Sequence, residues 1–232
     1  YKRQRNALTH RTYAELTDAV ASTTARCIVV TGADPAFCSG DDVKQVMVAA
    51  GEQTADRLRS APRITPAAGV LLSTDVPVIA AVNGSAFGFG FEIQGCCDFS
   101  FASTNARFAL KELNHGALAA WAASRGVERY SNSLIAYLTM TTFELDPQEA
   151  KRLGIVMDVF EPEELLPKVE EIAARVGKNS YMTKTYIKRA LNRNALPHYQ
   201  EAERYMPSIF ASERMQGAFA RFTKGDTKNV QN

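Results

Sequence analysis

Two acids and a glycine-rich turn carry the chemistry open to this sequence. From Pro77 the chain reads Pro-Val-Ile-Ala-Ala-Val-Asn-Gly-Ser-Ala-Phe-Gly-Phe-Gly-Phe-Glu, ending at Glu92; a second stretch, Phe108-Ala-Leu-Lys-Glu, ends at Glu112. A glycine-rich turn that opens a helix leaves the first backbone N–H groups without partners inside the helix. Those groups favour a bound anion, or an oxygen that becomes anionic during a reaction. Backbone donors beside two carboxyls, one able to accept a proton while the other donates, suit chemistry on a carbonyl compound.

The elements that must hold these groups follow from the pattern. Val76 to Val82 is apolar, rich in β-branched residues and read as a buried strand; Asn83-Gly84 ends it, Gly88 and Gly90 bend the chain, and a helix begins around Glu92. Thr9 caps a helix through Tyr13, Leu16 and Val20, and Arg26 to Thr31 is a buried strand closed by Gly32. Asp41 and Asp42 read first as caps of a helix that continues from Val43 to Ala50, and Gly51 to Thr65 as a mobile, lid-like loop. Arg107 to Leu110 is strand-like, and alanine-rich sequence at 116–123 and again at 131–140 predicts two packed helices. Asp146-Pro147 starts a helix that stops at Gly154, Ile155 to Phe160 is a strand, and Glu163 to Val176 is an amphipathic helix. From Met182 to Phe222 the chain reads as helix interrupted near Pro197 and Pro207. Alternating strands and helices followed by a helical tail define an α/β chain, with a core over 1–180 and a helical appendage over 181–232.

Composition narrows the partners. With 232 residues, 46% hydrophobic, the chain can bury a full core. A formal charge of +2, without any long basic block, argues against nucleic acid. No apolar run approaches the roughly 20 residues of a membrane helix, which predicts a soluble chain. Cys27, Cys38, Cys96 and Cys97 lack metal-ligand spacing and read as free thiols in a reducing, cytoplasmic setting, with no metal bound. Cys38 has no base next to it in sequence and reads as packing. Gly88-Phe-Gly90 is not a dinucleotide fingerprint, because the third glycine is missing. His10 and His198 read as surface residues. The chain opens at Tyr1 without an initiator Met, and the expectation is that residues precede it.

The sequence resembles the crotonase (enoyl-CoA hydratase/isomerase) superfamily over nearly its whole length. The matching pieces are Arg5-Asn-Ala-Leu8, Val29-Val-Thr-Gly32, Ala36-Phe-Cys-Ser-Gly-Asp-Asp42, Pro77 to Gly84, Cys97-Asp98, Ala106-Arg-Phe108, Glu112 and Glu149 to Val156. The resemblance implies a crotonase-like ββα spiral with a C-terminal helical trimerisation region, trimers or paired hexamers, and an acyl-CoA thioester substrate without further cofactor. By motif position it places the two thioester-binding amides on Ser39 and Phe89. It implies that Glu92 positions and deprotonates water, and that Glu112 delivers a proton to the α-carbon. Ala7, Cys38, Gly40, Asp41, Asp42, Gly88, His115 and Trp121 would line the substrate site. Arg3 and Arg5, with Lys224 from a neighbouring subunit, would meet the CoA phosphates.

Three positions depart from the family pattern. Phe89 stands where glycine is usual, Asp41 is an extra acid beside the Ser39 donor, and Asn114 to Trp121 replaces a Gly/Pro-rich loop. Retention of both glutamates favours hydration of a 2-enoyl-CoA. The altered loop and Asp41 leave open isomerisation or hydrolysis of another acyl-CoA, and Phe89 leaves open a non-catalytic acyl-CoA-binding protein.

Overall fold

The computed structural model describes residues 5–42, 44–45 and 66–224. Arg3, most of the helix expected from Val43, and the lid-like loop over 51–65 lie outside the described residues. The elements begin with helix α1 (His10–Ala21), strands β1 (Ile28–Thr31) and β2 (Ala36–Cys38), and helix α2 (Pro66–Ser73). Strands β3 (Val78–Val82) and β4 (Ser85–Phe87) lead into helix α3 (Phe89–Cys96); strands β5 (Phe99–Ser103) and β6 (Arg107–Ala109) lead into a 3-10 turn (Glu112–His115).

Two parallel sheets result, one ordered β1-β3-β5 and completed by β7 (Val159–Phe160), the other ordered β2-β4-β6. Each long strand hands over to a short one in the second sheet, so the chain winds as a spiral of ββα units. Strand β3 lies at the centre and shows why. Its five residues are all buried. Val78, Ala80 and Val82 pack on the α1, α2 and α3 side, while Ile79 and Ala81 pack with Phe101, Leu165 and Val169 on the opposite face. Side chains alternate across a strand, so a strand covered on both faces must be apolar throughout. The Asn83 side chain that ends β3 accepts from Gly32 N at 3.0 Å and donates to Gly32 O at 3.0 Å, pinning the turns after β1 and β3 together.

The remaining elements are a π-helical segment (Ala122–Gly126) running into the short α4 (Val127–Arg129), then α5 (Asn132–Thr141), α6 (Pro147–Arg152) and α7 (Pro162–Lys178). The tail comprises α8 (Tyr181–Asn192), α9 (Ala195–Glu203), α10 (Met206–Phe210) and α11 (Glu213–Thr223). Thr9 caps α1 by accepting from Thr12 N, and Asp146 caps α6 by accepting from Gln148 and Glu149 N, both at positions that the sequence marks.

Two expectations are corrected, and a third, the interrupted tail, is located. The helix expected over 116–123 begins only at residue 120, because Gly116 closes the 3-10 turn in the left-handed region at φ +81. The strand expected over 155–160 is confined to Val159–Phe160; the Ile155 and Val156 amides turn back to the Ala150 carbonyl instead. The tail breaks just before its prolines: Pro197 and Pro207 lie in the first turns of α9 and α10, where a missing N–H costs nothing.

Helix α8 is tied into the core by buried charge. Lys188 is 4% exposed, and its Nζ donates to Asp98 Oδ2 and to the Val76 carbonyl, each at 2.9 Å. Asp98 Oδ2 also accepts from Val78 N at 2.7 Å, so the clamp closes on the first residue of β3. The four cysteines are free. No helix among the described residues is long and apolar enough to cross a membrane.

Candidate active site

A cavity of about 240 Å³ opens where the glycine-rich turn meets the 3-10 turn. Ser39, Gly40, Asp41, Phe87, Gly88, Phe89, Glu112 and His115 form one side; Ala117 and, from α11, Met215, Phe219 and Phe222 form the other. The turn adopts its shape because Gly88 takes φ +54, which L side chains rarely adopt, and because Phe89 then starts α3. As the first residue of a helix, Phe89 presents an N–H that no carbonyl of α3 can accept.

The opposite strand segment comes close. A Cβ built on Gly40 would lie 3.3 Å from Phe89 N and 3.0 Å from the Phe87 carbonyl, and Gly40 itself has φ +92. Only glycine leaves the Phe89 amide uncovered there. Here the structure corrects the sequence: the Ser39 N–H donates to the Arg5 carbonyl at 3.0 Å and is not available to a substrate. Leu8 N donates to the Gly40 carbonyl at 2.9 Å, and Asp42 N donates to the Leu8 carbonyl at 2.8 Å. Main-chain groups alternate in direction along an extended segment, so the Asp41 amide between those two bonds faces away from Leu8. The Asp41 amide, rather than that of Ser39, is therefore the candidate donor beside Phe89.

Both acids stand at this point. Glu112 Oε1 lies 3.1 Å from where a Cβ on Gly88 would be, so the carboxyl rests directly on the turn. Its other oxygen, Oε2, is buried without a hydrogen-bond partner among the described residues. Burial is the main reason that the Glu112 carboxyl is pushed up from 4.5 to about 7, with Asp41 adding a repulsion. Glu92 is 3% exposed and does not line the cavity. Its Oε1 accepts from Ala122 N at 3.1 Å, and the Trp121 amide also donates to it. Burial and the charges of Glu112 and Asp41 raise its pKa well above the ordinary range, while those two amides pull it down. Two neighbouring carboxyls titrate as a pair, so the upward shift belongs to both together.

The other predicted positions divide. Gly40, Asp41, Gly88 and His115 line the cavity; Ala7, Cys38, Asp42 and Trp121 do not. Trp121 is fully buried behind Gly95, whose Cβ would fall 2.2 Å from the indole ring, and it serves the site through its amide alone. Cys38 is buried, and its thiol is pushed up to about 12, which makes it packing rather than nucleophile. Asp42 is a cap, accepting from Gln45 N at 3.0 Å, whereas Asp41 is not: Tyr13 Oη donates to its Oδ1. Burial raises the Asp41 carboxyl to about 6, and the Tyr13 hydrogen bond holds it from rising further. The His115 ring stacks edgewise on Phe222 at 5.1 Å, and burial with Arg221 and Arg214 lowers its pKa. Arg5 is exposed, and its contact with this region runs through its carbonyl.

Sequence reasoning missed Lys111 and the α11 residues. Lys111 Nζ sits 4.4 Å from the Phe87 ring centre and pairs with Glu144 at 3.1 Å. Met215, Ala218, Phe219 and Phe222 follow the i, i+3, i+4, i+7 spacing of one helix face, a signal visible in the chain.

The sequence profile of the enoyl-CoA hydratase/isomerase family matches residues 2–226. The chain belongs to the enoyl-CoA hydratase/isomerase family. Crotonyl-CoA hydratase of Syntrophomonas wolfei is 31% identical over 193 residues, covering 81% of this chain and 73% of that protein. (E)-Benzylidenesuccinyl-CoA hydratase of Thauera aromatica is 33% identical over 167 residues, covering 71% of this chain; the aligned stretch spans just under two thirds, 64%, of that relative's length. The crystal structure of an enoyl-CoA hydratase/isomerase from Xanthobacter autotrophicus Py2 superposes with a TM-score of 0.86 at 22% identity, over 99% of this chain and 89% of that one. This likeness bears on the fold: a crotonase-type α/β spiral. The family match makes the chain an enzyme of the crotonase superfamily.

Proposed function

We propose that this enzyme is an enoyl-CoA hydratase, adding water across the double bond of a 2-enoyl-CoA. One arrangement carries the reading: the Glu112 carboxyl rests on the turn where the helix-start amide of Phe89 meets the cavity, and the buried Glu92, whose carboxyl feels the Glu112 charge, lies in the same helix α3. In the proposed reaction the thioester oxygen accepts from the Phe89 and Asp41 amides. Water loses a proton to the ionised member of the glutamate pair as its oxygen bonds to the β-carbon. The π electrons move onto the thioester oxygen, and the protonated member of the pair then delivers a proton to the α-carbon. CoA belongs to the substrate, and no other cofactor takes part. Loss of the conjugated ultraviolet absorbance of crotonyl-CoA tests the reading; no turnover across short, medium and long 2-enoyl-CoAs would reject it.

A second reading has one observation in its favour. Glu112 lines the cavity and Glu92 does not, which suits an isomerase that moves a proton with Glu112 alone. Glu92→Gln separates the two, because it cripples a hydratase and spares such an isomerase.

We also propose that the chain works as a homo-oligomer, a trimer or a pair of trimers, in the cytoplasm. Helix α8 exposes Met182, Tyr186, Ile187 and Leu191, each more than half exposed, an apolar face of the kind that a second copy covers. Arg5 and Lys224 then serve as candidates for the CoA phosphates. Sedimentation measures the assembly.

A further inference from the structure

The two departures at Phe89 and Asp41 meet at one side chain. Tyr13 is 5% exposed in the first turns of α1. Its hydroxyl donates to Asp41 Oδ1, and its ring meets the Phe89 ring edgewise, centroids 5.6 Å apart. Its helix is fixed to the same strand segment: Leu8 pairs with the Asp41 segment, Thr9 caps α1, and Tyr13 N donates to the Thr9 carbonyl at 3.0 Å. One side chain thus touches both residues whose amides face the proposed thioester oxygen.

The contact answers a physical difficulty. A carboxylate on the residue that supplies an oxyanion donor repels the charge that the site must stabilise. A hydroxyl that donates to it draws it to the α1 side and disperses part of its charge. The phenylalanine in place of glycine supplies the ring against which that tyrosine rests.

We propose that Tyr13 is a positioning residue, which restrains the Asp41 carboxyl through its hydroxyl and braces the Phe89 arm through its ring, so that the two amides hold a developing oxyanion without interference. The proposal rests on the acyl-CoA reading of the cavity. It concerns a side chain that touches no reacting atom.

A double-mutant cycle on the full chain tests it, with folding checked by circular dichroism. Tyr13→Phe keeps the ring and removes the hydroxyl; it lowers kcat on crotonyl-CoA by about 10- to 100-fold while KM changes by less than about threefold. In an Asp41→Asn background the same change costs less than about threefold, because there is no carboxylate left to restrain. An equal loss in both backgrounds, or no loss in either, overturns the proposal. A second readout needs no turnover: the enolate of bound acetoacetyl-CoA absorbs in the near ultraviolet, and its fraction reports the strength of the oxyanion site. Tyr13→Phe lowers that fraction and adding Asp41→Asn restores it; a fraction that does not move with Tyr13 overturns the proposal. If Tyr13→Phe does not fold, Asp41→Asn alone decides, since the proposal requires an enolate fraction at or above that of the wild type and a lower fraction overturns it. A wild-type protein that binds the enolate but turns over no 2-enoyl-CoA rejects the hydratase reading and leaves this test standing.

Discussion

Glu112 Oε1 lies 3.1 Å from where a side chain on Gly88 would begin, so the acid and the start of α3 occupy one corner of the cavity. Neither residue is near the other in sequence. The parallel pairing of β4 with β6 brings them together, with Phe87 opposite Ala109, one residue before Gly88 and three before Glu112.

Removing either acid's ability to carry a proton is expected to stop turnover and spare binding. Glu112→Gln and Glu92→Gln each lower kcat by about 100- to 10,000-fold with little change in the Kd of a saturated acyl-CoA. Steady-state kinetics with calorimetric binding measures both.

The Gly40 position is predicted to accept no side chain without loss of rate. Gly40→Ala sets a methyl 3.3 Å from Phe89 N at a φ of +92, obstructing the amide and straining the strand. The expected loss in kcat is about 100- to 1000-fold, the size of a lost oxyanion donor.

Glu112 also sets a pH dependence of stability. Its folded pKa, about 7, stands above the ordinary 4.5, so between these values the folded protein holds more protons than the unfolded chain. Stability from this group therefore falls as pH rises through that window, and the burial penalty is complete above about 7. Glu112→Gln removes the penalty. It is expected to leave Tm nearly unchanged at pH 4.5 and to raise it at pH 8, by an amount equivalent to about 1–3 kcal/mol. Thermal melts across pH 4.5 to 8 give the comparison.

The clamp from α8 makes a stability prediction distinct from the site. Lys188→Met leaves the half-buried Asp98 without its cation and is expected to cost about 2–4 kcal/mol in urea unfolding. Lys188→Met with Asp98→Asn recovers part of that loss.

How far the chain could be read depends on the range of the interactions involved. Period-2 and period-3.6 patterns are local, so β3, α1 and α7 were legible, as were the caps at Thr9 and Asp146. The turn at Asn83 to Glu92 was legible from residue type, while the roles of the two acids came from the family resemblance. The donor assignment at Ser39 was not, because the direction of an amide depends on which neighbour its flanking groups bond, here Arg5 and Leu8 some thirty residues earlier. Trp121 failed for a related reason: a large aromatic in a loop next to an acid reads as cavity lining, while the space beside Gly95 draws it into the core. The Tyr13 contacts join α1 to two distant segments and leave no trace in local pattern.

The last helix supplies Met215, Ala218, Phe219 and Phe222 to the cavity wall. The shape of that wall is set by residues far downstream of Glu92 and Glu112. Under the proposed function, substitutions there are expected to change which acyl groups fit while leaving both acids in place.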